Sequence, residues 1–214
     1  MAPRSEGGMT AGDAQHRPVE PTSFATLDAL NAALAAEPPL VPGGTHSVPG
    51  EGPVGAAIAF VGEQPGDEED RQGRPFVGPA GRLLDRAMAE AGISRDRVYV
   101  TNAVKQFKFI QRGKRRIHQT PTAGEVSRAR WWLHQELDLV HPRVVVALGA
   151  TAGLALAGRK VAVTRERGPL LFDNRRGYLT VHPSYLLRLP DEPARQAAYA
   201  AFLTDLNAIR EMAA

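Results

Sequence analysis

The stretch AIAFVGEQPGDEEDRQGRPFVGPAG, residues 57–81, decides the fold of this chain. It opens with an apolar run from Ala57 to Val61, which predicts a buried strand. At Gly62 the chain enters a polar loop rich in glycine, proline and carboxylates, and a helical pattern of apolar residues follows. A strand, a polar loop and a helix in this order are how α/β proteins place a site at the carboxyl end of a strand.

The same alternation continues along the chain. Further strands are predicted at 98–104, 144–148 and 178–181, and apolar side chains at helical spacing lie between them. One helix has a well-marked start, because Thr122 and Glu125 fit the T-x-x-E capping box. Strands that alternate with helices predict an α/β protein with a short parallel sheet between helical layers.

The composition indicates a globular protein, with 214 residues, 43% hydrophobic and 23% charged. We expect residues 1–22 to form a disordered tail and residues 23–214 to form a single domain.

The tail has no apolar core for a signal peptide. The longest apolar stretch, 144–158, is too short and too rich in Gly and Ala to span a bilayer. We therefore expect a cytoplasmic protein without a membrane partner, and a monomer.

The chain contains no cysteine. This excludes disulfides, thiolate catalysis and cysteine-ligated zinc or iron–sulfur sites. The sequence also lacks an H-x-x-x-H pair and any other known metal spacing, so we predict no metal site. The acidic loop after the first strand is not a Walker motif either, because no G-K-[ST] follows it.

Polar segments follow the predicted strands at the same edge of the sheet, because the carboxyl ends of parallel strands meet there. His182 is either a histidine that caps the sheet or part of a substrate-facing loop. Asn102 is either a turn residue or a reader of a base edge, and Phe76 is either core or a stacking platform for a base. The side chains that could converge at this edge are Glu63, Gln64, Asp67, Asn102, His118 and His182.

A basic loop, KQFKFIQRGKRRIH, occupies residues 105–118. A solvated surface loop is the usual fate of such a charge run. This loop lies beside the polar edge of the sheet, contains two interleaved phenylalanines and ends in a histidine. These features favour contact with a nucleic-acid backbone instead. The predicted DNA-binding cations of this loop are Lys105, Lys108, Arg112, Lys114, Arg115 and Arg116.

These segments together resemble the uracil-DNA glycosylase superfamily, and within it the family 4 and UdgX-type enzymes. The resemblance covers about Val48 to Arg188, and Gln64 stands where family 4 usually has alanine. It implies a three-layer αβα sandwich around a central four-stranded parallel sheet. It also implies excision of a uracil flipped out of DNA, including single-stranded DNA. The matching motifs are GEQPGDEEDRQGRPFVGPAG (62–81), TNAVK (101–105), GKRRIH (113–118) and HPSYLLR (182–188).

The resemblance also implies roles for single residues. Phe76 would stack on the uracil, and Asn102 would read its polar edge and so reject cytosine. His182 would hydrogen-bond the uracil carbonyl that gains charge as the glycosidic bond breaks. Gln64 and Asp67 would line the sugar side.

In the UdgX class, a histidine of the inserted loop attacks C1′ of the sugar and stays attached. His118 matches that histidine, and Glu63 would orient its ring. Gly62 and Ser184 would contact the substrate, and Arg188 would touch the DNA backbone or groove.

Enzymes of family 4 and of the UdgX class normally hold an iron–sulfur cluster, and this chain departs from them. We expect no cofactor, with apolar packing that involves Trp131, Leu40 and Val41 in its place. The positions that correspond to the four ligands are Ala35, Pro38, Gln106 and Ala129.

Two alternatives to covalent capture stay open from the sequence. The first is a turnover glycosylase, in which water positioned by Gln64 or Asp67 attacks C1′ and His118 only binds DNA. The second is a non-catalytic binder of uracil-containing or single-stranded DNA.

Overall fold

A computed structural model describes residues 24–214, and the predicted tail, residues 1–22, lies outside this range. The helices are α1 (Leu27–Ala36), α2 (Asp67–Gln72), α3 (Pro79–Glu90), α4 (Ala123–Val140), α5 (Ala150–Ala157), α6 (Val163–Glu166), α7 (Pro183–Leu187) and α8 (Glu192–Ala213). The strands are β1 (Ile58–Gly62), β2 (Tyr99–Asn102), β3 (Phe109–Arg112), β4 (Arg115–His118), β5 (Val144–Leu148), β6 (Gly168–Phe172) and β7 (Arg175–Thr180).

The main sheet has the strand order β2-β1-β5-β7-β6. Its four predicted strands are present and pair in parallel, β1 with both β2 and β5, and β5 with β7. The expected count of four strands is wrong, because β6 adds a fifth that pairs antiparallel with β7. Only two residues, Asp173 and Asn174, join β6 to β7, and so short a connection permits only antiparallel pairing. Strand β6 begins with Gly168 and Pro169, and Phe172 is its only buried residue, so it lacks the continuous buried apolar run of β1 and β5.

Helices cover both faces of the sheet, which confirms the three-layer αβα sandwich. Alternate residues of each strand point to opposite faces. Ala59 and Val61 of β1 pack into one buried cluster with residues of α4 and α5. Ile58 and Phe60 pack into a second cluster with residues of α3 and α8. Strands β1 and β5 are therefore buried along their whole length.

A smaller cluster forms where α1 meets α4. Leu30 and Leu34 of α1 are buried there beside Trp132, with Trp131 and Leu40 packed around them. Both tryptophans of α4 therefore serve to pack this helix against α1. Val41 is also buried, but it belongs to the main cluster of the sheet face that α4 covers.

Local structure departs from the sequence-based expectation at two places near the sheet edge. The acidic loop contains the short helix α2, whose polar residues offer no apolar periodicity to detect. The basic loop is a hairpin of β3 and β4, with Gly113 in the left-handed region (φ 57°) at its turn.

The capping box of Thr122 and Glu125 is present at the start of α4 as predicted. Within the described range, no helix combines the length and apolar character that crossing a membrane requires.

Candidate active site

A cleft of about 1220 Å³ opens at the carboxyl edge of the parallel strands. Strand β1 leads into the acidic loop, β2 ends at Asn102, and the hairpin of β3 and β4 reaches over the edge with His118 as its last residue. The structure thus brings together the segments that the sequence placed at this edge. The predicted site residues that line the cleft are Glu63, Gln64, Asp67, Phe76, Asn102, His118, His182, Ser184 and Arg188.

The carboxylate of Glu63 is held from two sides. His118 Nε2 lies 3.1 Å from Glu63 Oε1. Thr151 Oγ1, at the start of α5, donates a hydrogen bond of 2.7 Å to Glu63 Oε2. The side chain of His118 is half-exposed, whereas that of Glu63 is 24% exposed. The arrangement leaves the imidazole accessible from the cleft while the carboxylate that orients it is fixed.

Glu63 is ionised at neutral pH. Burial raises the pKa of this carboxyl. Hydrogen bonds from His118 and Thr151, together with the electrostatic effect of His118 and His182, outweigh burial, so the pKa lies below its ordinary value. An ionised Glu63 accepts the ring proton of His118 in a charge-assisted hydrogen bond. A neutral histidine that donates from one ring nitrogen keeps a lone pair on the other.

His182 is a neutral hydrogen-bond donor toward the cleft. Its Nδ1 accepts a hydrogen bond of 3.2 Å from the backbone N–H of Ser184, as the cap of α7. The proton of the neutral ring is therefore on Nε2. Burial lowers the pKa of His182 to about 4, an effect that Glu63 opposes and that Arg188 and His118 strengthen. At neutral pH the ring can donate one hydrogen bond without carrying charge.

Phe76 and Asn102 form a close-packed wall of the cleft around Gly62. A Cβ atom at Gly62 would lie 2.4 Å from Asn102 Oδ1 and 2.6 Å from Phe76 Cζ, so only glycine fits. Gly81 is equally confined, because its Cβ would lie 1.8 Å from Phe76 O. The backbone of Phe76 is in the left-handed region (φ 56°), and its ring lies near-parallel to that of His182 at 6.3 Å. The glycines thus allow an aromatic face and an amide to line the same wall.

Gln64 connects the acidic loop to both ends of the hairpin. Its Oε1 accepts from Lys108 N at 3.2 Å, and its Nε2 donates to Lys108 O at 3.2 Å and to Gln119 O at 3.3 Å. The three bonds use the carbonyl oxygen and both protons of the side-chain amide. Gln64, which lines the cleft, therefore anchors the hairpin at both of its ends.

Arg116 attaches the middle of β4 to α2. Its guanidinium forms ion pairs with the carboxylates of Asp67 and Asp70, and it donates to Asp67 O at 3.1 Å. Its cationic face also lies 5.3 Å from the ring centroid of Phe107. This arrangement disfavours the predicted contact of Arg116 with DNA phosphates, because its charge is matched by two carboxylates and its side chain is only 16% exposed.

Two predicted DNA-binding lysines also point inward. Lys105 is 1% exposed and forms an ion pair with Glu136 of α4, which also accepts from Thr101 and Tyr99. Lys108 forms an ion pair of 2.8 Å with Glu125, and its side chain is 14% exposed. The burial of Lys105 therefore disfavours its predicted DNA contact, and the charge of Lys108 is already matched. Both lysines lie soon after the end of β2, where their side chains pair with carboxylates of α4.

The remaining predicted cations face solvent. Arg112 and Arg115 flank the turn of the hairpin, with Lys114 within it, and all three are exposed. Arg188, just after α7, is exposed and lines the cleft. Exposed cationic side chains of the hairpin and of the α7 end therefore remain available to a polyanion.

Three residues of this neighbourhood were not identified from the sequence. Thr151 lies in a small-residue segment, where a single hydroxyl gives no signal. Asp70 is one of four carboxylates in a row, and only the fold shows that it is the buried one. Glu136 falls on the apolar stripe of α4, where a carboxylate that is 1% exposed requires a buried cation and so could have indicated Lys105 as its partner.

The described residues contain no group of three or more His, Asp or Glu side chains arranged to hold a metal ion. The four positions that correspond to iron–sulfur ligands carry no thiolate, since the chain has no cysteine. Of these, Gln106 and Ala129 are buried. The side chains present do not fit an iron–sulfur cluster, which requires soft sulfur ligands.

Comparison with known proteins gives consistent results. The profile of the uracil DNA glycosylase superfamily matches residues 49–207. A type-4 uracil-DNA glycosylase of Thermotoga maritima is 43% identical over 147 residues, which are 67% of this chain and 73% of the relative. A type-4 enzyme of Pyrobaculum aerophilum is 35% identical over 154 residues, 68% of this chain and 75% of the relative. A type-5 uracil-DNA glycosylase of the same organism is 34% identical over 157 residues, 65% of this chain and 66% of the relative.

Proposed function

Because this chain belongs to the uracil-DNA glycosylase superfamily, we propose that it excises uracil from DNA and then captures the sugar through His118. The observation that carries the proposal is the 3.1 Å contact between His118 Nε2 and Glu63 Oε1 at the mouth of the cleft. A carboxylate that orients an accessible imidazole is an arrangement that activates a nucleophile. The substrate is uracil-containing DNA, with single-stranded DNA included.

The base enters the cleft by leaving the DNA stack, since the glycosidic bond is not reachable inside it. Phe76 offers an aromatic face against which a planar base can stack. Asn102 is 3% exposed and lines the same wall, and its side-chain amide forms no hydrogen bond with another described residue. A side-chain amide offers an NH₂ donor group and a carbonyl acceptor, which complement the carbonyl and N–H at the edge of uracil.

His182 assists the departure of the base. As the bond from C1′ to the base nitrogen breaks, its electron pair moves into the uracil ring and negative charge gathers on a carbonyl oxygen. The Nε2–H of His182 donates a hydrogen bond to that oxygen. Because the ring is neutral and buried, this donor is fixed before the reaction and costs little reorganisation. The sugar left behind has oxocarbenium character at C1′.

His118 then supplies an electron pair to C1′. The lone pair of the ring nitrogen that does not donate to Glu63 forms the new bond, and the ring becomes positively charged. The ionised Glu63 lies beside that charge and stabilises it. The uracil anion takes a proton from solvent, so charge and atoms balance. The protein is then bonded to the abasic site and does not turn over.

Attack by water is less well supported by the geometry. The amide of Gln64 is fully used by the backbone at the two ends of the hairpin. Asp67 is paired with Arg116, and its second oxygen lies 2.9 Å from Arg71. Both side chains are thus engaged by other groups of the protein. This favours His118 over water as the group that completes the reaction.

The test is to mix the protein with a uracil-containing single-stranded oligonucleotide and to measure two products. Free uracil is quantified, and a denaturing gel reports protein bound to DNA. We expect released uracil and an SDS-resistant band in equal amounts. Released uracil without the band would establish a turnover glycosylase, and the absence of both would leave only a DNA binder.

We further propose that the protein works without an iron–sulfur cluster. The support is chemical, since Ala35, Pro38, Gln106 and Ala129 supply no thiolate. Iron content and visible absorbance of the purified protein test the proposal. We expect about zero iron per chain with full adduct formation, and stoichiometric iron would overturn it.

A further inference from the structure

Gln106 is a buried amide that the proposed chemistry does not use. It follows the TNAVK segment directly and is 3% exposed. A buried amide needs hydrogen-bond partners for its carbonyl oxygen and its protons, or it destabilises the fold. Its partners therefore show what the residue holds in place.

Both ends of the Gln106 side chain bind the segment that leads from α1 to β1. Its Oε1 accepts from Leu40 N at 2.6 Å, and its Nε2 donates to Ser47 Oγ at 3.2 Å. Ser47 also forms an isolated antiparallel bridge with Gln106, and Val48 N donates to Lys105 O at 2.7 Å. One side chain thus fixes the two ends of residues 40–47.

The segment held in this way packs against the hairpin. Gly43 has φ 81°, and a Cβ there would lie 2.9 Å from Phe109 O and 3.3 Å from the Phe109 ring, so the turn touches β3 directly. Phe109 is the cross-strand partner of His118. The buried Phe107 stacks on Phe109 at 5.1 Å and lies 6.2 Å from the imidazole of His118.

We infer that Gln106 is a positioning residue for His118: by clamping residues 40–47 it provides the surface against which the hairpin of β3 and β4 rests. The inference rests on the proposed function, in which His118 attacks C1′. The hairpin is otherwise a two-stranded ribbon whose backbone pairs only with itself, and such ribbons need packing to be stable. Gln64 and Arg116 hold its cleft side, and residues 40–47 hold its back.

The clamp has a specific kinetic consequence. Uracil excision depends on Phe76 of the acidic loop, Asn102 at the end of β2 and His182 at the N-cap of α7. None of these residues belongs to the hairpin. Capture depends on His118, and even a small misplacement of a nucleophile lowers the reaction rate steeply. Loss of the clamp should therefore slow capture while excision continues.

The experiment uses Gln106→Met, which keeps the volume of the side chain and removes both hydrogen bonds. Single-turnover rates of uracil release and of adduct formation are measured on the same oligonucleotide, and amide hydrogen exchange is followed by mass spectrometry. We expect adduct formation to fall about tenfold, uracil release to stay within about twofold, and exchange to rise about tenfold in residues 40–47 and 109–118 but not in β1 or β5.

Two further variants keep the test decisive. Ser47→Ala removes one of the two bonds and should show the same pattern to a smaller degree, which decides the matter if Gln106→Met does not fold. Gln196→Met, at an exposed position of α8, is the matched control and should change neither readout. If Gln106→Met and Ser47→Ala both fold and amide hydrogen exchange in residues 109–118 is unchanged in both, the inference is overturned. If the wild-type protein forms no adduct, the proposed function fails, and the exchange data still decide whether the clamp exists.

Discussion

The imidazole of His118 lies 3.1 Å from the carboxylate of Glu63, although the two residues come from separate parts of the chain. Glu63 follows β1 directly, whereas His118 is the last residue of β4 in a hairpin that lies outside the main sheet. The contact exists because Gln64, the neighbour of Glu63, anchors both ends of that hairpin. The pairing of nucleophile and orienting carboxylate is thus built into the attachment of the hairpin.

Thr151 should contribute to the rate of capture, because its hydroxyl fixes the second oxygen of Glu63 at 2.7 Å. We expect Thr151→Val to slow adduct formation at least about tenfold, the effect of one lost hydrogen bond to a charged group. Thr151→Ser should restore the rate. The bond also helps to lower the pKa of Glu63, so its loss should move the acid limb of the rate profile to higher pH. Equal rates and pH profiles for the valine and serine variants would contradict this role.

His182 should make stability depend on pH between about 6.5 and 4. Burial lowers its pKa from 6.5 to about 4 in the folded protein. As the pH falls through this window, the unfolded chain binds a proton at His182 and the folded protein does not, so stability is lost. His182→Asn keeps a side chain that can cap α7 and removes the titration. Urea unfolding at pH 7 and pH 5 should show a smaller loss for this variant than for the wild type, and equal losses would refute the assignment.

Exposed cations of the hairpin should account for part of the salt dependence of DNA binding. We expect Arg115→Gln to reduce the slope of log K against log salt by about 0.7 for single-stranded DNA, as for one phosphate contact. Arg97→Gln is the control, because Arg97 is also exposed but precedes β2 at the opposite edge of the sheet. Binding isotherms at several salt concentrations give both slopes. The same slope for both variants would place the DNA elsewhere.

Lys105 should affect stability rather than DNA binding. Lys105→Met leaves the carboxylate of Glu136 buried without a cation, which costs about 3–5 kcal/mol. Adding Glu136→Gln should recover part of that loss, and Lys114→Met, at an exposed position of the same basic segment, should change stability by less than about 0.5 kcal/mol. Urea unfolding measures all three. A fully stable Lys105→Met protein with weakened DNA binding would favour the original sequence-based assignment.

Much of the fold followed from the sequence because its signals are local. Apolar runs predicted the four parallel strands, and the capping box predicted the start of α4. The fifth strand was not predicted because it begins with Gly168 and Pro169 and only Phe172 of its five residues is buried. The short helix α2 escaped because its burial rests on one carboxylate, Asp70, rather than on an apolar face.

Which charged residues are exposed could not be predicted from the sequence. Lys105 and Arg115 belong to the same basic run, yet one is 1% exposed in an ion pair with α4 and the other faces solvent on β4. The difference depends on carboxylates such as Glu136, which lie far away in the chain and meet the basic run only after folding. The sequence predicted that polar segments meet at one edge of the sheet, because the strands are parallel. It could not predict which of their side chains pair within the cleft, because that depends on side-chain packing.

The most direct test of the account is to identify the residue bonded to DNA. The wild-type protein is incubated with a uracil-containing oligonucleotide, digested with nuclease and protease, and examined by tandem mass spectrometry, with His118→Ala in parallel. The account predicts a deoxyribose adduct on His118 in the wild type, and no adduct but continued uracil release in the variant. An adduct on another residue, or an SDS-resistant band that persists in His118→Ala, would contradict it.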